Sequence, residues 1–333
     1  MKKVGINGFG RIGRYVTRMI LQSNDIEVVL VNDLAPIETL AHLFKYDSVH
    51  GRLPIKLEVK GDSIHFENGK VIRFTAQRDP ENIPWGEMGV DTVIESTGVF
   101  RTEELASKHF VGGAKRVIMS APAKSGGVPT VVLGVNEEGF DFSSKLLSNA
   151  SCTTNSAAPL VKVVKELCEI ESAFITTVHS YTSDQRLHDA PHTDLRRARA
   201  AAESIVPTTT GAAKALAKVF PELEGKIGGA GIRVPVPDGS LTDLTVVVKN
   251  PPTEQQIHDA MLKASKGELK GILEHTNDPI VSRDIISNTH SCIYDAQLTS
   301  VIGNMVKVVG WYDNESGYSN RIVDLIRKLD YLF

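Results

Sequence analysis

Ser148-Asn149-Ala150-Ser151-Cys152-Thr153-Thr154-Asn155 is a run of small and polar residues holding one thiol, and an apolar-periodic segment follows it. A cysteine just ahead of helix amides has its pKa lowered, and the same amides can hold an oxyanion that forms on a carbonyl carbon joined to the sulfur. The spacing predicts Cys152 as a nucleophile, with an ordinary buried thiol as the alternative. A partner follows. Residues 174–182 read as a strand ending at His179-Ser180-Tyr181-Thr182, and an imidazole at a strand end beside a thiol takes or gives protons near neutral pH. Cys168 falls in the apolar-periodic segment and Cys292 in a stretch without other chemistry, so both are expected to pack. No Cys or His pair has metal-ligand spacing, and no metal is expected.

A second chemistry sits at the N-terminus. Gly8-Phe9-Gly10-Arg11-Ile12-Gly13 matches G-x-G-x-x-G, which places glycine where a backbone turns tightly and approaches a pyrophosphate. Alone it is a weak signal, and a glycine turn that serves only strand-to-helix packing is the alternative. Here residues 3–7 before it are strand-like, and Ile12, Tyr15, Val16, Met19 and Ile20 after it recur at helical spacing. Asp33 stands 20 residues beyond Gly13, where a carboxylate accepts from an adenosine ribose and repels a 2′-phosphate. NAD is the expected cofactor. Glu95-Ser96-Thr97-Gly98 closes another apolar stretch and either lines the same crevice or is a plain turn.

Anion-binding groups gather further on: Arg196, Arg197 and Arg199; Thr208-Thr209-Thr210-Gly211 ahead of a helix; and Arg233. Guanidinium groups and helix-start hydroxyls suit phosphate. The arginines suit an ion-pair network or a subunit interface equally well, and the threonines suit helix capping.

The elements that must carry these groups follow from periodicity. Strands are expected at residues 3–7, 26–31, 92–95, 116–119 and 130–133, spaced by helices or loops, which reads as an open α/β sheet up to about Ser148. Beyond it the texture is α+β: a helix over 157–168, with Pro159 suited to its first turn, strands at 174–182, 231–236, 241–248 and 307–311, and a last helix over 319–329. The 333 residues suit two domains. Hydrophobic residues make up 41% and charged residues 23%, an ordinary globular mix. With 37 Lys and Arg against 40 Asp and Glu, the net charge of −3 recruits neither nucleic acid nor an anionic membrane. Apolar runs such as 128–135 stop well short of the roughly 18 residues that a spanning helix needs. Three cysteines are too few for a disulfide framework, so a reducing compartment is expected.

Taken together, the glycine turn, the Cys152 run, residues 192–201, residues 207–214 and Tyr312-Asp313-Asn314-Glu315 resemble glyceraldehyde-3-phosphate dehydrogenases along essentially the whole chain. The resemblance implies a Rossmann-type α/β dinucleotide-binding domain over 1–150, joined by a C-terminal helix over 318–333, and an α+β catalytic domain over 151–317. It implies Cys152 as nucleophile and His179 as its base and later acid. It implies a substrate-phosphate site at Thr182 and Arg233, and an inorganic-phosphate site at Ser151, Thr153, Arg197, Thr210 and Gly211. Around NAD it implies Gly8, Phe9, Gly10, Arg11, Ile12 and Gly13 at the pyrophosphate turn, Asp33 at the ribose, Arg78 and Phe100 near adenine, Thr97, Gly98 and Ser120 along the crevice, and Asn314 and Tyr318 toward the nicotinamide. It further implies a cytoplasmic homotetramer whose loop from about Ser180 to Val206 packs on a neighbour.

Rivals are weaker. An erythrose-4-phosphate enzyme is disfavoured by Thr182 and Thr208 to Gly211, an aspartate-semialdehyde enzyme by phosphate-binding rather than carboxylate-binding groups, and an inactive binding protein by intact Cys152 and His179. Two departures from the family pattern matter: Ser156 stands where a second cysteine is common, and Ala190 precedes Pro191 where NAD-preferring members often carry Leu. Asp33→Ala is expected to improve NADP use more than NAD use, as read by kcat/KM with each cofactor. Equal use of both by the unaltered chain would shift the discrimination to Ala190.

Overall fold

A computed structural model describes residues 1–329. The chain divides into two compact units: Met1–Val131 with Gly139–Ala150 and the segment from Ser319, and Val132–Glu138 with Ser151–Tyr318.

The first unit is built on short apolar strands. β1 (Lys2–Asn7), α1 (Arg11–Leu21) and β2 (Ile26–Asn32) form a βαβ turn, followed by α2 (Ile37–Lys45) and the strands β3 (Leu57–Lys60), β4 (Ser63–Phe66) and β5 (Val71–Thr75). β6 (Thr92–Glu95), α3 (Glu103–Val111), β7 (Arg116–Met119) and β8 (Leu146–Ser148) complete it. Among the described residues the sheet order is β3-β4-β5-β2-β1-β6-β7-β8, parallel from β5 to β8 and antiparallel through β3 and β4. All four residues of β6 and of β7 are buried, as strands covered on both faces require. The strand order reverses at β1, between β2 and β6, and a doubly wound sheet opens a ligand crevice at such a point.

Residues 130–133, expected as a strand, make only a bridge from Thr130 to Ser148. The Val132 amide is taken instead by the Asn136 side chain at 2.7 Å, which turns the chain.

The second unit carries α4 (Cys152–Leu167), β9 (Glu169–Ser180), β10 (Val206–Thr208), α5 (Ala212–Val219), β11 (Ile227–Val234), β12 (Ser240–Lys249), α6 (Glu254–Lys266), β13 (Leu273–Thr276), β14 (Cys292–Ile302) and β15 (Met305–Tyr312). Its mixed sheet runs β10-β11-β9-β12-β15-β14-β13. Leu244, Val246 and Val248 of β12 alternate inward and are buried. α4 packs on this sheet between α5 and α6, with Thr153 through Val161 buried.

α4 starts five residues earlier than the periodicity indicates, because a serine cap lies ahead of Pro159. Ser151 is the cap: its hydroxyl accepts the Thr154 amide at 3.1 Å. Pro159 therefore lies inside the helix rather than in its first turn, removing one rung of the hydrogen-bond ladder. Cys168 ends the helix, with its thiol donating to the Val164 carbonyl at 3.3 Å. The last helix, α7 (Ser316–Lys328), begins earlier than expected. The part of the expected 318–333 helix from Asp330 lies outside the described residues.

Candidate active site and cofactor crevice

In the first unit, the strand ends of β1, β2 and β6 frame a crevice of about 400 Å³, lined by Asn7, Gly8, Gly10, Asn32, Asp33, Gln77, Arg78, Ser96, Thr97 and Phe100 among others. The turn that enters it is possible only with glycine. Gly8 has φ +92°, and a Cβ on Gly13 would lie 2.2 Å from the Gly8 carbonyl oxygen, an overlap of the kind that costs about 1–3 kcal/mol when a packed site must open for it. Gly10 caps α1 without a side chain, leaving the first helix amides for an anion.

The remaining residues of the turn do different work. Phe9 turns its ring inward onto Phe44 and Phe74, while its amide donates to Asp33 at 2.7 Å. Asp33 also accepts from the Ala35 amide at 3.0 Å, so the carboxylate on the crevice wall is held from two sides. Arg11 opens α1 with its guanidinium paired to Asp47 at 2.7 Å, and Ile12 is half-buried beside it. Gly98 has φ +73°, and the Ser120 amide donates to the Glu95 carbonyl at 2.9 Å. Gly98 directly follows the crevice residue Thr97, and Ser120 sits at the end of β7, the strand next to β6.

Sequence reasoning missed the polar net that holds the crevice floor. The buried Glu95 carboxylate accepts from Asn7 Nδ2 at 2.6 Å, from His109 Nε2 at 3.0 Å and from the Thr97 amide at 2.9 Å. His109 Nδ1 accepts from Trp85 Nε1 at 3.1 Å, which places the ring proton on Nε2. Asn32 joins the net, donating to Asn7 Oδ1 at 2.8 Å and bonding the Gln77 backbone in both directions. The available signal was a polar residue closing each apolar strand: Asn7, Asn32 and Glu95.

Ala150, with φ +55°, closes a segment of the first unit; in the second unit Ser151 is the cap and Cys152 opens α4. Its Sγ lies 3.5 Å from His179 Nε2 at the end of β9. His179 Nδ1 donates to the Ser180 carbonyl at 2.8 Å, so Nε2 keeps its lone pair toward the thiol. The parallel register of β9 and β11 pairs His179 with Arg233. Arg233 Nη1 donates to the same Ser180 carbonyl at 2.9 Å and lies 2.5 Å from His179 Nδ1.

Burial pushes the Cys152 thiol up, against the opposing pull of Arg233. Burial and then Arg233 push His179 down, to about 3. Desolvation of the charged forms thus works against the helix terminus at this pair.

The expected phosphate-binding residues are placed variously. Thr182 follows β9, half-buried, and its hydroxyl has no protein partner among the described residues. Arg197 Nε donates to Thr208 Oγ1 at 2.9 Å, and its guanidinium pairs with Asp184 and Asp194. Arg199 pairs with Asp189, so much of the arginine cluster is an ion-pair network. Thr210 Oγ1 accepts the Ala212 amide at 3.2 Å and Gly211 is the exposed residue before α5. Ser151 Oγ accepts the Thr154 amide of the cap and meets Thr154 Oγ1 at 2.8 Å. Thr153 turns its hydroxyl to Tyr312 Oη at 2.9 Å, and Tyr312 also meets Thr177 at 2.8 Å. Asn314 and Tyr318 are buried at the end of the unit.

Residues 151–314 match the family model of the glyceraldehyde 3-phosphate dehydrogenase C-terminal domain, and residues 2–103 that of the glyceraldehyde 3-phosphate dehydrogenase NAD binding domain. The chain belongs to the glyceraldehyde-3-phosphate dehydrogenase family. It is 57% identical over 325 residues to the glyceraldehyde-3-phosphate dehydrogenase of Geobacillus stearothermophilus, covering 97% of this chain and 96% of that one. Identity to the enzyme of the same name from Streptomyces coelicolor is 54% over 327 residues, 97% of each chain. Glyceraldehyde-3-phosphate dehydrogenase 1 of Bacillus subtilis is 52% identical over 325 residues, 97% of this chain and 96% of that one.

One buried acid in the second unit has a pH signature. Burial, followed by Asp313 and Glu315, pushes the Asp238 carboxyl up to about 9, and it hydrogen-bonds Asp313. The folded state thus keeps a proton that the unfolded chain releases near pH 4. Stability should fall as pH rises from there to about 9, by at most about 1.4 kcal/mol per unit from this group, and the loss should stop above its folded pKa. Asp238→Asn should flatten that slope, read from urea unfolding between pH 6 and 9. Equal slopes in the two proteins would refute the retained proton.

Proposed function

We propose that Cys152 and His179 carry the reaction of the family: oxidative phosphorylation of glyceraldehyde 3-phosphate to 1,3-bisphosphoglycerate with NAD and inorganic phosphate. The chain is an NAD-dependent oxidoreductase of glycolysis. The observation that carries the assignment of residues is the 3.5 Å contact between Cys152 Sγ, at the start of a capped helix, and the unprotonated Nε2 of His179.

Sγ attacks the aldehyde carbon while Nε2 takes the thiol proton, which passes to the former carbonyl oxygen to give a thiohemiacetal. The first amides of α4 stabilise negative charge on that oxygen. Nε2 then removes the hydroxyl proton as the carbon is oxidised to the thioester. NAD, when bound, takes up the hydride that the carbon loses. A phosphate oxygen attacks the thioester carbon, the C–S bond breaks, and His179 returns its proton to the sulfur.

The crevice of the first unit fits NAD, since Gly8 and Gly13 clear the backbone for a pyrophosphate and Asp33 is the ribose acceptor. We assign residues 1–150 with the C-terminal helix to cofactor binding and 151–317 to catalysis. Arg78 and Phe100 flank adenine, Gly10, Arg11 and Ile12 the pyrophosphate, Thr97, Gly98 and Ser120 the crevice, and Asn314 and Tyr318 the nicotinamide. Thr182 and Arg233 take the substrate phosphate. Ser151, Thr153, Arg197, Thr210 and Gly211 form the inorganic-phosphate site, with phosphate competing with Asp184 for Arg197.

A cytoplasmic homotetramer is the assembly we assign. Leu187, Leu195 and Ile205 are 74%, 82% and 69% exposed along one loop, apolar surface that a neighbouring copy would cover. Light scattering would measure the assembly. Among the described residues, no helix is long and apolar enough to cross a membrane.

Cys152→Ser should lower turnover on glyceraldehyde 3-phosphate by roughly four or more orders of magnitude, as removal of a nucleophile does, with NAD affinity unchanged. The assay compares turnover with and without inorganic phosphate, and near-normal turnover in the variant would remove Cys152 from the mechanism.

A further inference from the structure

Asn314 is held by a closed ring of hydrogen bonds. Its Oδ1 accepts from Ser180 Oγ at 2.8 Å and from Ser240 Oγ at 2.7 Å. Ser240 Oγ in turn accepts the Ser180 backbone amide at 3.1 Å. Ser180 and Ser240 are both buried, at 0% and 1% exposure.

Counting protons settles which way the carboxamide faces. Ser240 Oγ accepts the Ser180 N–H, and among the described residues its hydroxyl proton has no acceptor other than Asn314, so the atom facing it is the amide oxygen. Ser180 supplies a second proton to the same atom. Both lone pairs of Oδ1 are then used. Nδ2 donates to no group among the described residues, so the open side of the amide is a pure donor. The main chain beneath is fixed as well: Asp313 Oδ1 accepts from the Glu315 and Ser316 amides at 2.9 and 2.6 Å, and Oδ2 from the Ser287 amide at 2.7 Å.

We propose that Ser180 and Ser240 are positioning residues that lock the Asn314 amide with its NH₂ outward, so that the site recognises the carbonyl oxygen of the nicotinamide carboxamide and not its amino group. This rests on the assignment of Asn314 to the nicotinamide made above. Ser180 has a second duty, since its carbonyl orients His179. One residue therefore sets both the proton acceptor of the nucleophile and the donor that holds the cofactor ring.

The test measures binding of NAD and of ADP-ribose, which lacks the nicotinamide, to Ser180→Ala, Ser240→Ala and the double variant. The double variant should bind NAD about tenfold more weakly, the loss expected when one or two buried hydroxyl bonds are removed, and bind ADP-ribose as before. The 3-acetylpyridine analogue of NAD keeps the carbonyl oxygen and carries methyl in place of the NH₂. It should lose affinity by the same factor. Equal weakening of NAD and ADP-ribose would show a general packing defect and overturn the proposal. So would a loss confined to NAD and absent with the analogue, because the recognised group would then be the amino group. Asn314→Ala separates the two layers: if it leaves the NAD to ADP-ribose ratio unchanged, the nicotinamide assignment itself fails. If it alters that ratio while the serine variants do not, only the lock fails.

Discussion

The carbonyl oxygen of Ser180 accepts hydrogen bonds from two side chains at once, His179 Nδ1 and Arg233 Nη1, and the chemistry of the second unit hangs on that shared acceptor. It fixes the imidazole tautomer, so the lone pair of Nε2 meets the sulfur. It also parks a guanidinium beside the ring, which discourages a second ring proton. The shared acceptor exists because β9 and β11 run parallel with His179 and Arg233 in register. A slip of one residue in either strand would turn its own side chain to the other face of the sheet and part the two.

The first unit solves a different problem. Its crevice floor carries a buried carboxylate, Glu95, and an unsupported buried charge would cost several kcal/mol. Four donors from three directions surround it: Asn7, His109, and both the amide and the hydroxyl of Thr97. The indole of Trp85 completes the line by occupying the other nitrogen of His109. The result is a negatively charged but rigid floor, held at the ends of the strands that bracket the switch point.

Much of this frame was legible in the residue pattern, and the failures have physical causes. The strands over 92–95 and 116–119 occur at the expected bounds because strands buried on both faces read as unbroken apolar runs. β3 to β5 escaped notice because their exposed residues dilute the pattern: Leu57 to Lys60 alternates half-buried with exposed, and Val71 is exposed. The start of α4 was misplaced because proline was weighed more heavily than a serine cap. Cys152 and His179 are adjacent in space as their residue types indicate, while the desolvation that acts on both is a property of packing and not of spacing. Asn32 and His109 belong to a net assembled from distant segments, which no local pattern encodes. Cys292, featureless in sequence, is fully buried, and burial pushes its thiol up to about 12.

Lys2, at the first strand, donates through Nζ to the carbonyls of Ile326 and Arg327 at 2.8 and 2.9 Å and to that of Leu329. Arg327 reaches back to Asp25 at 2.9 Å. The free carbonyls at the end of the last helix are thus capped by a cation from the first strand of the same unit. On the ribosome, the first unit emerges early but must wait for its final helix until the intervening 151–318 have been translated. Contacts spanning more than 300 residues form late and at high loop-closure cost. The second unit, whose segments all precede Ser319, has its full set of segments while the first still lacks its closing helix.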